Sequence, residues 1–292
     1  MSTGSGSGFG PNPWQQTSWD WRAAGNFIFG GMGTGLLLTS ALFGAAAPAS
    51  LGKPDWLVFA GLALVGLGLL CVWLEIGRPL RALHVFLNPQ TSWMSREAFV
   101  GLILFPSGLA AMLGVSGWAW VTAALAMVFL YCQACMLPAA RGIPAWRVKS
   151  FVALMLDTGL CEGCGVFLLL GLWHQRGSSL PMMVLALLIV SRMAIWRHYR
   201  SEVRSSLVLR ANAALDQAGR VLLSVGTVAP LLLLAVAASL TSGSSQALLV
   251  ALAGAGAAAA GAYLKFMLVT RASYNQGFAL VRIPVRGVRV GQ

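Results

Sequence analysis

Acidic side chains are scarce in this chain: its 292 residues hold 8 Asp and Glu against 20 Lys and Arg, and only 10% of positions are charged. With 58% hydrophobic residues and a mean hydropathy of +0.76, a soluble domain of this length would expose apolar surface far beyond the usual patch. Histidine is scarcer still, with His84, His174 and His198 all at helix ends or in loops. A b-type haem needs paired histidines within the helices, and covalent haem needs a CxxCH run; the chain has neither. The apolar runs also lack the alternation of barrel strands, which leaves helices as the spanning elements. No nucleic-acid-binding fold accompanies the net charge of +12, so no nucleic acid partner is expected. The first twenty residues lack the basic start and apolar core of a signal peptide.

Long apolar runs fill the space that charge leaves. Roughly 17–25 apolar residues cross a bilayer as a helix, and eight such runs occur, at about 23–46, 55–75, 98–115, 117–137, 149–172, 180–196, 219–239 and 246–269. The sequence therefore predicts an all-α fold, a polytopic membrane helix bundle with eight transmembrane helices. Residues 22–272 form that membrane domain. Residues 1–21 read as a flexible Gly/Ser-rich arm with Trp14, Trp19 and Trp21 as interfacial anchors, and 273–292 as an extended tail docking on a partner. An even number of spans puts both termini on one side, and every Lys and Arg except Lys53 and Arg176 falls there. The positive-inside rule then places both termini in the cytoplasm, with a bacterial inner membrane as the expected location.

Segment 197–220, RHYRSEVRSSLVLRANAALDQAGR, reads as a helical continuation with a basic face and an apolar strip through Val203, Leu207 and Leu215. It suits a membrane surface or a partner equally. The end of the chain, ALVRIPVRGVRVGQ, alternates apolar residues with arginine, but Pro284 and Gly287 exclude a central strand. Both segments are basic enough to meet anionic headgroups or an acidic protein surface.

Two motifs invite chemistry and are better explained by packing. GNFIFGGMGTG, with Gly25, Gly30, Gly31, Gly33 and Gly35, lies inside an apolar helix, whereas a phosphate loop needs a preceding strand and a polar turn. Small residues that let helices approach closely explain it, and LAGAGAAAAGAY near the end is the same device. The pairs Cys132/Cys135 and Cys161/Cys164 have the spacing of a four-thiolate site. Cys161, however, lies about 18 Å into the fifth span at helical rise, away from the boundary where Cys135 sits. No metal is expected.

The densest polar feature is EIGRPLRALHVFLNPQTSWMSRE, from Glu75 to Glu97, which links the second and third spans. Ionisable groups at a membrane boundary are costly unless they pair or work on something. Glu75 and Glu97 fall on the same side of the bilayer, Arg78 and Arg81 are able to pair with them, and His84 exchanges protons near neutral pH. Asp157 and Glu162 are deeper, where a carboxylate needs compensation. Asn26, Tyr131, Lys265, Arg271 and Tyr274 complete the belt. Such a belt suits a quinone, with an apolar tail and a head that takes up protons. Structural roles fit the same residues: helix capping by Arg78 and Arg81, an ion pair of the glutamates with those arginines, and ordinary packing for Glu162, Tyr131 and Asn26.

The runs EIGRPLRAL and TSWMSREAF resemble the membrane-anchor subunits of molybdopterin oxidoreductases, the NrfD/DmsC type. The acidic residue–x–Gly–x–Pro–x–Arg pattern and the Ser–Arg–Glu box carry the likeness, together with the IPAW turn after the fourth span. WQQTSWDWRAAGNFIFGG and SYNQGFALVRIPVRG are similar to the anchors of phenylacetyl-CoA:acceptor oxidoreductases. The resemblance implies a complex in which a molybdopterin catalytic subunit, carrying a molybdenum or tungsten bis-pterin cofactor, passes electrons through a ferredoxin-like iron–sulfur subunit to quinone (ubiquinone or menaquinone) at the anchor. It implies catalytic roles for Glu75 and Glu97 and quinone contacts from Asn26 and Tyr131; the belt itself adds His84 as a further catalytic group, Arg78 and Arg81 as quinone-binding groups, and a proton path through Asp157 and Glu162. Glu75 stands where some relatives have histidine and others aspartate. A cytoplasmic sulfite-oxidising partner would satisfy the same orientation. Outside the family, the rival functions are a secondary transporter and a purely structural anchor.

Overall fold

Polar caps start the first helices. The Asp20 carboxylate accepts from the Arg22 backbone N–H at 2.8 Å, satisfying one donor that a helix start leaves orphaned, and α1 follows over Trp21–Gly44. Asp55 does the same through the Leu57 N–H at 2.9 Å for α2, Trp56–Glu75, and Ser92 through the Ser95 N–H at 3.3 Å for α3, Trp93–Met112. The chain continues as α4 Trp118–Met136, α5 Lys149–Gly171, α6 Ser179–Val203, α7 Leu209–Leu223, α8 Ala229–Ser239 and α9 Ser244–Phe266. This computed structural model describes residues 12–44, 55–76, 79–171, 179–240 and 243–277. Among them there is no strand, only an isolated bridge between Gln15 and Tyr274.

The protein is an all-α polytopic helical bundle. Seven of its rods are long and apolar enough to cross a membrane, which makes it a multi-pass membrane protein. Eight were expected, and α3 is the difference. It is a 20-residue helix in the bundle, but Ser95, Arg96, Glu97, Pro106 and Ser107 lower its hydropathy. Arg96 turns its guanidinium back to the preceding loop, donating to the Pro89 and Gln90 carbonyls at 2.8 and 2.7 Å.

The helix expected to begin near residue 219 starts at Leu209 and runs to Ser239 as one rod, α7 and α8 joined by a π turn at Ser224–Val228. Pro230 has no N–H to offer the Gly226 carbonyl one turn back, and helices adjust locally where that bond is lost. Arg192 replaces the missing donor, with Nη2 at 2.8 Å from that oxygen. The strip foreseen in segment 197–220 faces inward, with Val203 and Leu215 fully buried.

α1 is the central rod, packed by α2, α4, α5 and α9. Glycine sets how closely they stand. A Cβ on Gly163 would lie 2.0 Å from the carbonyl carbon of Gly35, so α5 touches α1 backbone to backbone. Gly163→Ala is expected to destabilise the detergent-solubilised protein by about 1–3 kcal/mol through overpacking. Gly171→Ala, on the same helix with nothing within 4 Å, is expected to leave thermal unfolding unchanged. Equal melting temperatures for the two variants would show that the helices slide apart without cost.

At one end of the bundle the two terminal segments hold each other. The Gln16 N–H donates to the Ser273 carbonyl at 3.0 Å and the Asn275 N–H to the Trp14 carbonyl at 3.0 Å. Trp19 stacks on Phe27 and meets Trp146 edge-on, and Trp146 Nε1 donates to the Leu268 carbonyl at 3.0 Å. Residues 12–20 of the expected flexible arm are thus tied down. The rest of the arm, 1–11, and the tail from 278, with Pro284 and Gly287, lie outside the described residues.

Candidate functional site

The first turns of α1 and α3 meet the last turn of α4 around one buried carboxylate. Glu97 is 2% exposed, flanked by the side-chain amides of Asn26 and Gln133, with Asn26 Nδ2 at 3.4 Å from its Oε1. Gln133 Nε2 donates to the Asn26 carbonyl at 3.1 Å. Gly30 makes room for that amide, since a Cβ there would lie 2.2 Å from Gln133 Nε2. Asn26 Oδ1 and Gln133 Oε1 are buried without a partner. A proton on Glu97 would therefore find two acceptors beside it.

A second polar group occupies the neighbouring face of α1, one residue on at Phe27 and Gly31. Lys265 of α9 and Glu162 of α5 form an ion pair at 2.6 Å, with side-chain exposures of 1% and 0%. Lys265 also donates to the Phe27 carbonyl at 2.9 Å. Gly31 leaves the space, because a Cβ there would overlap Lys265 Nζ at 2.1 Å. Nearby, Arg192 donates through Nη1 to the Ala257 carbonyl at 2.9 Å and lies close enough to act on both Glu162 and Asp157. Asp157 accepts a short hydrogen bond from Ser191, while its Oδ2 is buried and partnerless. Two carboxylates and two cations thus stand inside the bundle, a costly arrangement unless paired or used.

Glu75, His84 and Tyr131 are not buried in this interior. Glu75 is half-buried at the end of α2, with Asp20 and Arg22 as its charged neighbours. Arg22 grips the Asp20 carboxylate at 2.8 Å, holding its pKa below the ordinary value, and donates to the Leu74 carbonyl at 2.8 Å. His84 is exposed on the 3-10 segment Pro79–Leu87. Tyr131 is 46% exposed on α4 and edge-on to Trp93, whose ring also carries the Arg96 guanidinium at 4.3 Å. Arg78 and the side chain of Arg81 lie outside the described residues. Asn26 and Glu97 are therefore brought into contact, whereas Glu75 has Asp20 and Arg22 as charged neighbours and Tyr131 packs on Trp93.

Gln133, Arg192 and the pairing of Lys265 with Glu162 were not anticipated as site features. The available signal was their residue type. Gln133, Arg192 and Lys265 interrupt runs that are otherwise apolar, and a polar or ionisable group there is costly unless it pairs or works on something. Their partners were not readable, because 103 positions separate Lys265 from Glu162 and 107 separate Gln133 from Asn26.

Fold and interior together define the class: a multi-pass helical membrane protein with a buried acid–amide cluster and a buried ion pair on adjacent faces of its central helix. Neither a scan of protein-family models nor a search of curated proteins finds a match to this chain.

Proposed function

We propose that this protein is the quinone-binding membrane anchor of an iron–sulfur molybdoenzyme complex, of the NrfD/DmsC type. The observation that supports it most is Glu97: a carboxylate buried inside the bundle beside two unsatisfied amide oxygens. That donor set fits a quinone head, which takes up two electrons and two protons when reduced. Asn26 and Gln133 orient the Glu97 carboxyl, and Glu97 hands over a proton. Half-buried Trp93, edge-on to exposed Tyr131, offers an apolar passage from the lipid. Glu75 and His84, at the rim, exchange protons with water. Asp157 and Glu162 supply a deeper reservoir, with Arg192 and Lys265 compensating their charge. Catalytic and iron–sulfur partners dock at the end where the two terminal segments clasp, on the cytoplasmic side by the positive-inside rule. Oxidation of an acyl-CoA such as phenylacetyl-CoA is the proposed source of electrons, since its thioester stays inside the cell; sulfite oxidation is the rival within the family.

The Lys265–Glu162 pair in the interior favours one other function, a secondary transporter with an ionic site near mid-membrane. Mass spectrometry of the gently solubilised complex separates the two. An anchor is expected to co-migrate with an iron–sulfur subunit and a molybdopterin subunit. A chain that migrates alone from cells expressing its neighbours, and binds no quinone analogue, would overturn the proposal.

A further inference from the structure

We propose that the groove between α6 and α7 is a binding site for the headgroup of an anionic phospholipid. The groove has a volume of about 560 Å³ and is lined by Arg197, Arg200, Arg204 and Arg220 against a single acid, Asp216. Arg200 is already committed. Its Nη2 pairs with Asp216 at 2.6 Å, its Nη1 donates to Asn212 at 3.2 Å, and its guanidinium leans over the Trp196 ring at 6.0 Å. The guanidinium groups of Arg197, Arg204 and Arg220 make no ion pair with any described residue, and all three side chains are exposed. The groove therefore presents three free cations around one internally neutralised pair.

Its position decides which anion fits. On α6 the exposed side chains change from Met183, Leu187 and Val190 to Arg197 within two turns. On the adjoining rod they change from Val228 and Leu223 to Arg220. Both helices thus cross from hydrocarbon to headgroup at one level, and the groove straddles it, with Met193 and Leu223 on its apolar side. Gly219 keeps the floor open, because a Cβ there would crowd the Trp196 ring at 3.1 Å. A ligand that matches has a phosphate for the arginines and acyl chains for the adjoining apolar flank. Basic pockets between membrane helices take such headgroups, and bidentate phosphate recognition suits arginine. An acidic protein would match the cations but would leave the apolar flank unfilled.

The test uses the full chain in nanodiscs of mixed phosphatidylglycerol and phosphatidylcholine, with the retained lipid counted by native mass spectrometry after extraction. The wild type is expected to retain phosphatidylglycerol in preference. Each free arginine contributes about fivefold, so R197Q/R204Q/R220Q is expected to lose about a hundredfold of that preference. The corresponding triple lysine variant keeps most of it, and R141Q, on an exposed loop at the same end, keeps all of it. Should the triple glutamine variant not fold, R197Q and R220Q carry the test singly. Equal retention of the two lipids by the wild type overturns the proposal, as does an unchanged preference in the glutamine variants. Displacement of phosphatidylglycerol by millimolar inorganic phosphate, or by a copurifying acidic protein, assigns the groove to a soluble anion or a partner and equally overturns it.

Discussion

Glu97→Gln is expected to lower quinone-dependent turnover of the assembled complex by about a hundredfold or more while artificial-dye reduction by the catalytic subunit stays intact. General acid–base transfer by a positioned side chain contributes on that scale. The substitution is mild for the fold. Glutamine keeps an oxygen to accept from Asn26 Nδ2, and its new N–H₂ meets the partnerless Asn26 Oδ1 and Gln133 Oε1. It keeps the shape of the site and removes the carboxyl, the group in the cluster that takes up and gives up a proton. Parallel loss of quinone and dye activities would assign Glu97 to assembly, and unchanged quinone turnover would remove it from the chemistry.

Lys265→Met is expected to cost about 3–5 kcal/mol of stability, seen as a large fall in the unfolding temperature in detergent. Removing the cation leaves Glu162 buried with no opposite charge in contact, and breaking one half of a buried pair has costs of that size. The double variant Lys265→Met, Glu162→Met is expected to recover most of the loss, since replacing both partners with apolar groups is often close to neutral. A single variant as stable as the wild type would mean that Arg192, which also acts on Glu162, compensates fully. Recovery of stability without recovery of turnover in the double variant would tie the pair to function.

The rods were largely legible beforehand. Expected and observed spans agree within a few residues for α1, α2, α4 and α5, because hydropathy is a sum over local sequence. α6 runs on to Val203, and the rod expected from residue 219 begins at Leu209, because a polar face at a membrane boundary still packs as helix. The glycine stripe was also readable as packing, and Gly35 against Gly163 is a backbone contact of that kind. The polar belt was legible only as a set. Arg78 and Arg81 read as able to pair with Glu97, but Arg78 and the side chain of Arg81 lie outside the described residues. Among the described residues the neighbours of Glu97 are the uncharged Asn26 and Gln133, while Arg96 snorkels to the loop carbonyls. Composition shows that charges are present. Which of them touch depends on how each helix is rotated.

The apolar rods of an all-α bundle and the close approach of glycine faces follow from residue type and order, because each is a property of one segment against its surroundings. The pairing of Lys265 with Glu162, the amide cradle of Glu97 and the use of Arg192 to cap a carbonyl freed by Pro230 belong to the packed bundle. They join positions tens to hundreds of residues apart, and a rotation of about 100° per residue places a side chain on one neighbour or another with no trace in the local pattern.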